Sequence, residues 1–144
     1  MELLLKQIES VLDKELPLIS NLSNISSILF KMGDINWAGF YLADGDYLYL
    51  GPFQGDVACT KIKKGNGVCG TSFLKKETII VPNVHEFKGH IACSSLSKSE
   101  IVVPVTVGEQ VKLVIDIDSP IFDRFQIEEK EFLEKVSKII ADLY

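Results

Sequence analysis

The apolar residues of this chain follow two spacings, one typical of helices and one typical of strands. Near the N-terminus they recur every three to four positions over residues 3–15 and again over 18–32, which predicts two helices separated by Pro17. A single kinked helix is the alternative. Residues 128–144 repeat the helical spacing, so a closing helix is predicted, packed on a sheet or on a second subunit.

Between the helices the spacing predicts two β-hairpins. Asp44-Gly45 is the predicted turn of the first, over residues 36–50, and Gly108-Glu109 is that of the second, with strands over 101–107 and 111–118. Residues 51–55 are predicted to form a turn cluster, followed by a short strand that carries Cys59 and Ile62. The Gly-rich run 65–70 predicts a tight entry into a helix rather than a phosphate cradle, and residues 78–81 a further strand.

These elements predict an α+β fold in a single domain over residues 1–144. Its central antiparallel sheet has five to six strands, with helices packed on it.

Aromatic side chains share one face of the first predicted strand. Trp37 and Tyr41 lie four residues apart, about 13 Å between Cα atoms, with Gly39 between them. The missing side chain at Gly39 predicts a notch with aromatic walls. The alternative is that both rings belong to the hydrophobic core.

Two carboxylates share one face of the last predicted strand. Asp116 and Asp118 have Cα atoms about 6.6 Å apart, and such a pair is costly unless it is hydrated, paired or used. A solvated face is one interpretation. The surrounding sequence is apolar enough for a central strand, which favours carboxylates that border a cavity. The opposite face is predicted to point to the core with Val111, Leu113, Ile115 and Ile117.

The segment 82–99 matches neither spacing and is long for a loop, and long loops tend to be functional. It carries His85, His90 and Cys93 among polar residues. A zinc site built from these histidines and the cysteines is an alternative, but no Cys-x-x-Cys pair is present and the spacing fits no usual zinc motif. We therefore expect no metal.

The composition and charge of the chain limit the classes of partner that we expect it to bind. The formal charge of −5 over 144 residues disfavours nucleic acid, because no basic stripe is available to neutralise phosphates. The N-terminal residues resemble neither a signal peptide nor a membrane span, and three cysteines without scaffold spacing indicate a reducing, cytoplasmic compartment.

Seven motifs, in order over residues 36–125, resemble those of the free methionine-R-sulfoxide reductases, single-domain enzymes of the GAF fold. They are Asn36-Trp37-Ala38-Gly39-Phe40-Tyr41, Gly51-Pro52-Phe53-Gln54-Gly55, Ala58-Cys59, residues 65–70, residues 89–93, residues 99–104 and Asp116-Ile117-Asp118-Ser119-Pro120. The sequence departs from the family pattern at Ser94, where an acid is common, and at Leu113, where a glycine is common.

The resemblance implies a role for each candidate residue. Cys93 stands at the catalytic cysteine, Cys59 at the principal resolving cysteine, and Cys69 at a third cysteine with a secondary or alternative resolving role. The pocket carboxylates correspond to Glu100, Asp116 and Asp118, and the aromatic walls to Trp37 and Tyr41.

The implied reaction is reduction of free L-methionine-(R)-sulfoxide by a thiolate. A sulfenic acid forms, then an intramolecular disulfide, which thioredoxin reduces with NADPH and thioredoxin reductase as its supply. No bound cofactor is implied, and the R preference rests on the resemblance alone. A non-catalytic GAF sensor for a small ligand and a thiol redox sensor are the competing hypotheses. The long apolar faces of the helices are compatible with a homodimer.

Overall fold

The computed structural model describes residues 1–89 and 96–144, which form four helices and a six-stranded sheet. Pro17 separates the first two helices, and the second ends in a 3₁₀ turn over Phe30–Met32. The prediction of two helices rather than a kinked one is therefore confirmed. The helices are α1 (Glu2–Val11), α2 (Leu18–Leu29), α3 (Gly67–Lys75) and α4 (Ile127–Ala141).

Every strand pair in the sheet is antiparallel, in the order β3-β2-β1-β6-β5-β4. This confirms the predicted α+β class and the antiparallel sheet. The strands are β1 (Trp37–Asp44), β2 (Tyr47–Gly55), β3 (Lys61–Lys63), β4 (Ile79–Val81), β5 (Ser99–Val107) and β6 (Gln110–Ser119).

Both faces of the sheet are covered. Helices α1, α2 and α4 pack on one face around side chains such as Phe40, Ile115 and Leu133, all essentially inaccessible to solvent. Helix α3 lies on the other face, where a second apolar cluster includes Val102, Val114 and Trp37. The strands in the middle are therefore buried on both sides, which explains the uninterrupted apolar runs over residues 101–105 in β5 and 113–115 in β6.

The first hairpin differs from its prediction in two ways. The turn consists of Gly45 and Asp46, one residue later than expected, because Gly45 takes the left-handed conformation with φ of 61°. Residues 51–55, predicted as a turn cluster, continue β2. A bulge opposite Phe40 accommodates Pro52, whose ring nitrogen has no hydrogen to donate to a neighbouring strand.

Two further predictions about strands are wrong. Cys59 lies in the loop before β3, not within a strand. Val111 packs in the cluster beneath α3, not with Leu113 on the opposite face. The cause is a register shift in the β5–β6 hairpin that places an extra residue, Lys112, between Val111 and Leu113 and reverses the alternation there.

Among residues 1–89 and 96–144, no helix has the length and apolar character needed to cross a membrane.

Candidate active site

Three adjacent strands bring the predicted pocket residues into one row. In the β1–β6–β5 register, Asp118 pairs with Trp37 on one side and with Glu100 on the other. Two residues earlier in β6, on the same face, Asp116 pairs with Gly39 of β1. Directly paired residues in antiparallel strands have Cα atoms about 4.5–5.5 Å apart, so these side chains on the α3 face must meet.

The carboxyls of this row form one hydrogen-bonded network. Glu100 hydrogen-bonds to both Asp116 and Asp118, and Ser97 donates its hydroxyl to Asp118. Asn36 extends the network, because its Nδ2 lies 3.2 Å from the Ser97 Oγ. Glu100, Asp116 and Ser97 are each 6% exposed, whereas Asn36 and Asp118 are half-buried, so most of the network lies out of water.

Burial keeps protons on this network. Desolvation, then the charge of Asp118, raises the pKa of Glu100 to about 8. Desolvation, then the charge of Asp116, raises the pKa of Asp118 well above its usual range. At neutral pH Glu100 therefore carries a proton that it can donate.

Aromatic rings form the adjoining wall. The Trp37 ring stacks on Tyr41 at 5.9 Å between centroids and on Phe53 at 5.2 Å. Gly39 allows this stack, since a Cβ at that position would collide with Phe53 and with the Pro52 carbonyl. The predicted notch is therefore filled by the close approach of β2. Both rings contribute to a hydrophobic cluster and also line the pocket, so the two interpretations of Trp37 and Tyr41 hold together.

Cys69 closes the pocket from the first turn of α3. Its thiol hydrogen-bonds to Asp116, and burial, then the charges of Asp116 and Glu100, raises its pKa well above the ordinary value. The thiol is free and buried, in a state suited to donating a hydrogen bond. One ligating atom from each of Cys69, Glu100 and Asp116 lies within 4.8 Å of the other two. A divalent cation accepts such spacing, so the expected absence of a metal stays a prediction.

The pocket has a cavity volume of about 50 Å³ and opens to solvent. Its described lining contains five predicted residues besides Cys69: Trp37, Tyr41, Glu100, Asp116 and Asp118. No pocket role was predicted for the other lining residues. Four of them lie in family-like motifs of the sequence, which are Ala58, Asn66, Gly67 and Val68. Nothing in the sequence pattern distinguished Val57, Ile62 and Ser97.

The remaining candidates stand apart from this lining. Cys59 follows Ala58 of the pocket wall and is disulfide-bonded, whereas Cys69 is free and is therefore not its partner. Cys93 and His90 lie outside the described residues. Among the described residues, His85 belongs to no group of side chains that could hold a metal ion. Its backbone N–H donates to the Asn83 side chain, and its ring contacts Phe122.

Comparison with known proteins defines the class. Residues 17–142 match the family model described as GAF domain, which agrees with the six-stranded sheet and its helices. The chain is 46% identical to the free methionine-R-sulfoxide reductase of Escherichia coli, over 85% of this chain and 74% of that protein. It is 47% identical to the enzyme of the same name from Saccharomyces cerevisiae, over 97% of this chain and 83% of that one.

A solved structure gives the same result. The free methionine-R-sulfoxide reductase of Neisseria meningitidis, determined in complex with its substrate, superposes with a TM-score of 0.94 at 42% identity, covering 97% of this chain and 85% of that chain. The chain thus belongs to the free methionine-R-sulfoxide reductase family of GAF-domain proteins, as its motifs predicted.

Proposed function

We propose that the pocket beneath α3 reduces free L-methionine-(R)-sulfoxide to methionine. The observation that carries this proposal is the row formed by Trp37, Asp118 and Glu100, in which an aromatic wall and a proton-bearing acid network meet in one pocket. Family membership supports the same reaction.

The aromatic wall suits the apolar part of the substrate. The rings of Trp37 and Tyr41, with Val57 and Ala58, offer contact area to the methylene and methyl groups beside the sulfoxide sulfur. Such contacts orient the sulfur without supplying chemistry, so the reacting groups have to come from the acids and the cysteines.

The acid network has two tasks. Glu100, protonated at neutral pH, donates its proton to the sulfoxide oxygen, which makes the sulfur more electrophilic and the oxygen a better leaving group. Asp116 and Asp118 hold the ammonium group of a free amino acid. A methionine within a peptide lacks that ammonium and would leave buried charge unpaired, which accounts for a preference for the free amino acid.

The substrate carboxylate needs a different partner. Among the described residues that line the pocket there is no Lys, Arg or His. The first turn of α3 lies at the pocket wall, where Gly67 and Val68 have no helical acceptor for their N–H groups. We propose that these N–H groups meet the carboxylate.

The redox step uses two cysteines. The Cys93 thiolate attacks the sulfoxide sulfur and forms an S–S bond to it. The protonated oxygen then moves from that sulfur to the Cys93 sulfur as the S–S bond breaks, so that methionine departs and Cys93 is left as a sulfenic acid. The Cys59 thiol then displaces that oxygen as water and forms the Cys59–Cys93 disulfide, so that two thiols are oxidised while one sulfoxide is reduced. The disulfide-bonded state of Cys59 and the free state of Cys69 support Cys59 as the resolving residue.

Turnover then requires an external dithiol. We propose that thioredoxin, supplied by thioredoxin reductase and NADPH in the cytoplasm, reduces the disulfide by thiol–disulfide exchange, with no cofactor bound to this protein.

A homodimer through the exposed apolar residues Leu3 and Ile19 of α1 and α2 is a separate proposal, which light scattering of the purified protein tests.

The decisive assay couples thioredoxin, its reductase and NADPH oxidation to three substrates: free methionine-R-sulfoxide, its S epimer and a peptide-bound sulfoxide. We expect turnover with the first alone. Cys93→Ser should abolish turnover, whereas Cys59→Ser should release one methionine per protein and then stop. Equal use of the peptide substrate would refute the role given to Asp116 and Asp118. A fully active Cys93→Ser variant would refute the mechanism.

A further inference from the structure

The loop of residues 56–60 presents a structural problem for the disulfide step. It joins β2 to β3, carries Cys59 and supplies Val57 and Ala58 to the pocket wall. Val57 is 87% exposed, and Cys59 is only half-buried. Apolar packing fixes this loop only in part, through Ala58 and Cys59, although a resolving thiol has to reach its partner in a defined geometry.

Hydrogen bonds from the pocket rings hold the loop at both ends. The Trp37 Nε1 donates to the carbonyl oxygen of Asp56 at 3.1 Å. The Tyr41 hydroxyl donates to the carbonyl oxygen of Cys59 itself at 2.9 Å. The Leu50 backbone N–H donates to the Thr60 carbonyl at 3.0 Å and completes the anchoring next to β3.

The two donor side chains are tightly packed. Trp37 is 4% exposed and Tyr41 is 2% exposed, and both rings belong to the stack that Phe53 completes. Burial, then the charge of Asp116, raises the pKa of Tyr41, so its hydroxyl remains a donor throughout the working pH range. Each ring thus lines the pocket and donates a hydrogen bond to the loop.

We propose that Tyr41 and Trp37 are positioning residues for Cys59, acting through the Cys59 and Asp56 carbonyls to hold the resolving thiol where it meets the sulfenic acid. This inference rests on the proposed disulfide step and adds to it a second task for rings that otherwise serve as substrate walls. In that step the Cys59 sulfur bonds to the sulfenic sulfur, the S–O bond breaks, and the oxygen leaves as water with the Cys59 proton.

The test measures how the sulfenic acid partitions between two fates. Reduced protein is oxidised with one equivalent of hydrogen peroxide in the presence of dimedone, which alkylates sulfenic acid, and mass spectrometry gives the ratio of adduct to disulfide. Tyr41→Phe keeps the ring and removes the hydroxyl. Tyr49→Phe makes the same chemical change at a ring that is 40% exposed on β2 and is the matched control. Cys59→Ser gives the adduct-only reference.

We expect the ratio to rise about three- to tenfold in Tyr41→Phe, the range typical of losing one hydrogen bond, and to stay at the wild-type value in Tyr49→Phe. Trp37→Phe, which removes the other bond to the loop, should raise it in the same direction and gives a second reading if one variant fails to fold. Unchanged ratios in both Tyr41→Phe and Trp37→Phe, with far-UV circular dichroism like that of the wild type, would overturn the proposal.

Because peroxide replaces the sulfoxide in this assay, the two proposals fail separately. A protein that turns over no methionine sulfoxide but shows the Tyr41-dependent ratio refutes the proposed function and supports the positioning role. A protein that turns over methionine sulfoxide normally, but whose ratio of adduct to disulfide does not change in Tyr41→Phe and Trp37→Phe, supports the proposed function and refutes the positioning role.

Discussion

Replacing Glu100 with Gln should remove a large pH dependence from the stability of the fold. Glu100 is buried in the network of Asp116 and Asp118, and its pKa is raised from 4.5 to about 8. The folded protein therefore keeps a proton that the unfolded chain has already released above about pH 4.5. The stabilisation that this proton gives is complete below about pH 4.5 and is lost as the pH rises to about 8.

The magnitude follows from the size of the shift. At about 1.36 kcal/mol per pKa unit, the full change from 4.5 to about 8 corresponds to about 5 kcal/mol of unfolding free energy. Between about pH 5.5 and pH 8, wild type should lose about 3 kcal/mol through Glu100. Glu100→Gln keeps a hydrogen-bonding side chain of the same size but cannot ionise. Asp118 remains in both proteins, but its titration is coupled to that of Glu100, so the difference between the proteins reports the contribution of Glu100 together with this coupling.

Urea unfolding of the reduced proteins at a series of pH values measures this difference, with fluorescence of the buried Trp37 as the signal. The stability of Glu100→Gln minus that of wild type should grow by about 3 kcal/mol from about pH 5.5 to pH 8 and then level off. Glu9→Gln, at an exposed position on α1, is the control and should show a constant difference. A constant difference for Glu100→Gln as well would contradict the raised pKa and, with it, the proton-donor role.

Three other outcomes follow from the same site. The kcat of wild type should fall as the pH rises through about 8, because Glu100 then loses the proton that it gives to the substrate; a pH–rate profile that stays flat to about pH 9.5 would argue against this. Cys69→Ser keeps a hydrogen-bond donor to Asp116 and should retain kcat/KM within about threefold of wild type, whereas Cys69→Ala should lower kcat/KM by about tenfold. Loss of disulfide formation in both variants would instead reveal a resolving role for Cys69. Gly39→Ala forces a methyl group into Phe53 and should destabilise the fold by about 1–3 kcal/mol in urea unfolding, and a neutral result would show that β2 can move away at no cost.

Local signals in the sequence predicted much of this fold. Gly108-Glu109 gave the second hairpin its correct turn, and alternation placed Asp116 and Asp118 on the same face of β6. These features depend on neighbours within a few residues, where steric and hydrophobic preferences act directly.

The failures are non-local. A turn was predicted at Pro52 because proline cannot donate a backbone hydrogen bond within a regular strand. The bulge opposite Phe40 is what allows Pro52 to lie in β2. The shift at Lys112 likewise reversed Val111 through the pairing of two strands rather than through any property of Val111.

The row that joins Trp37, Asp118 and Glu100 illustrates the same limit. It depends on the lateral alignment of three strands drawn from distant parts of the chain, which no single segment encodes. The family resemblance predicted that these three residues belong to one pocket. The pairing register of β1, β6 and β5 is the physical reason why they lie together.

The most direct test of the acidic pocket compares kcat/KM for free methionine-R-sulfoxide with that for its N-acetyl derivative, which keeps the sulfoxide and the carboxylate but loses the ammonium charge. If Asp116 and Asp118 hold that ammonium, the derivative should be used at least about a hundredfold less well, because its neutral amide cannot form the charge-assisted hydrogen bonds that the ammonium gives to these carboxyls. Values within about threefold of each other would contradict the assignment.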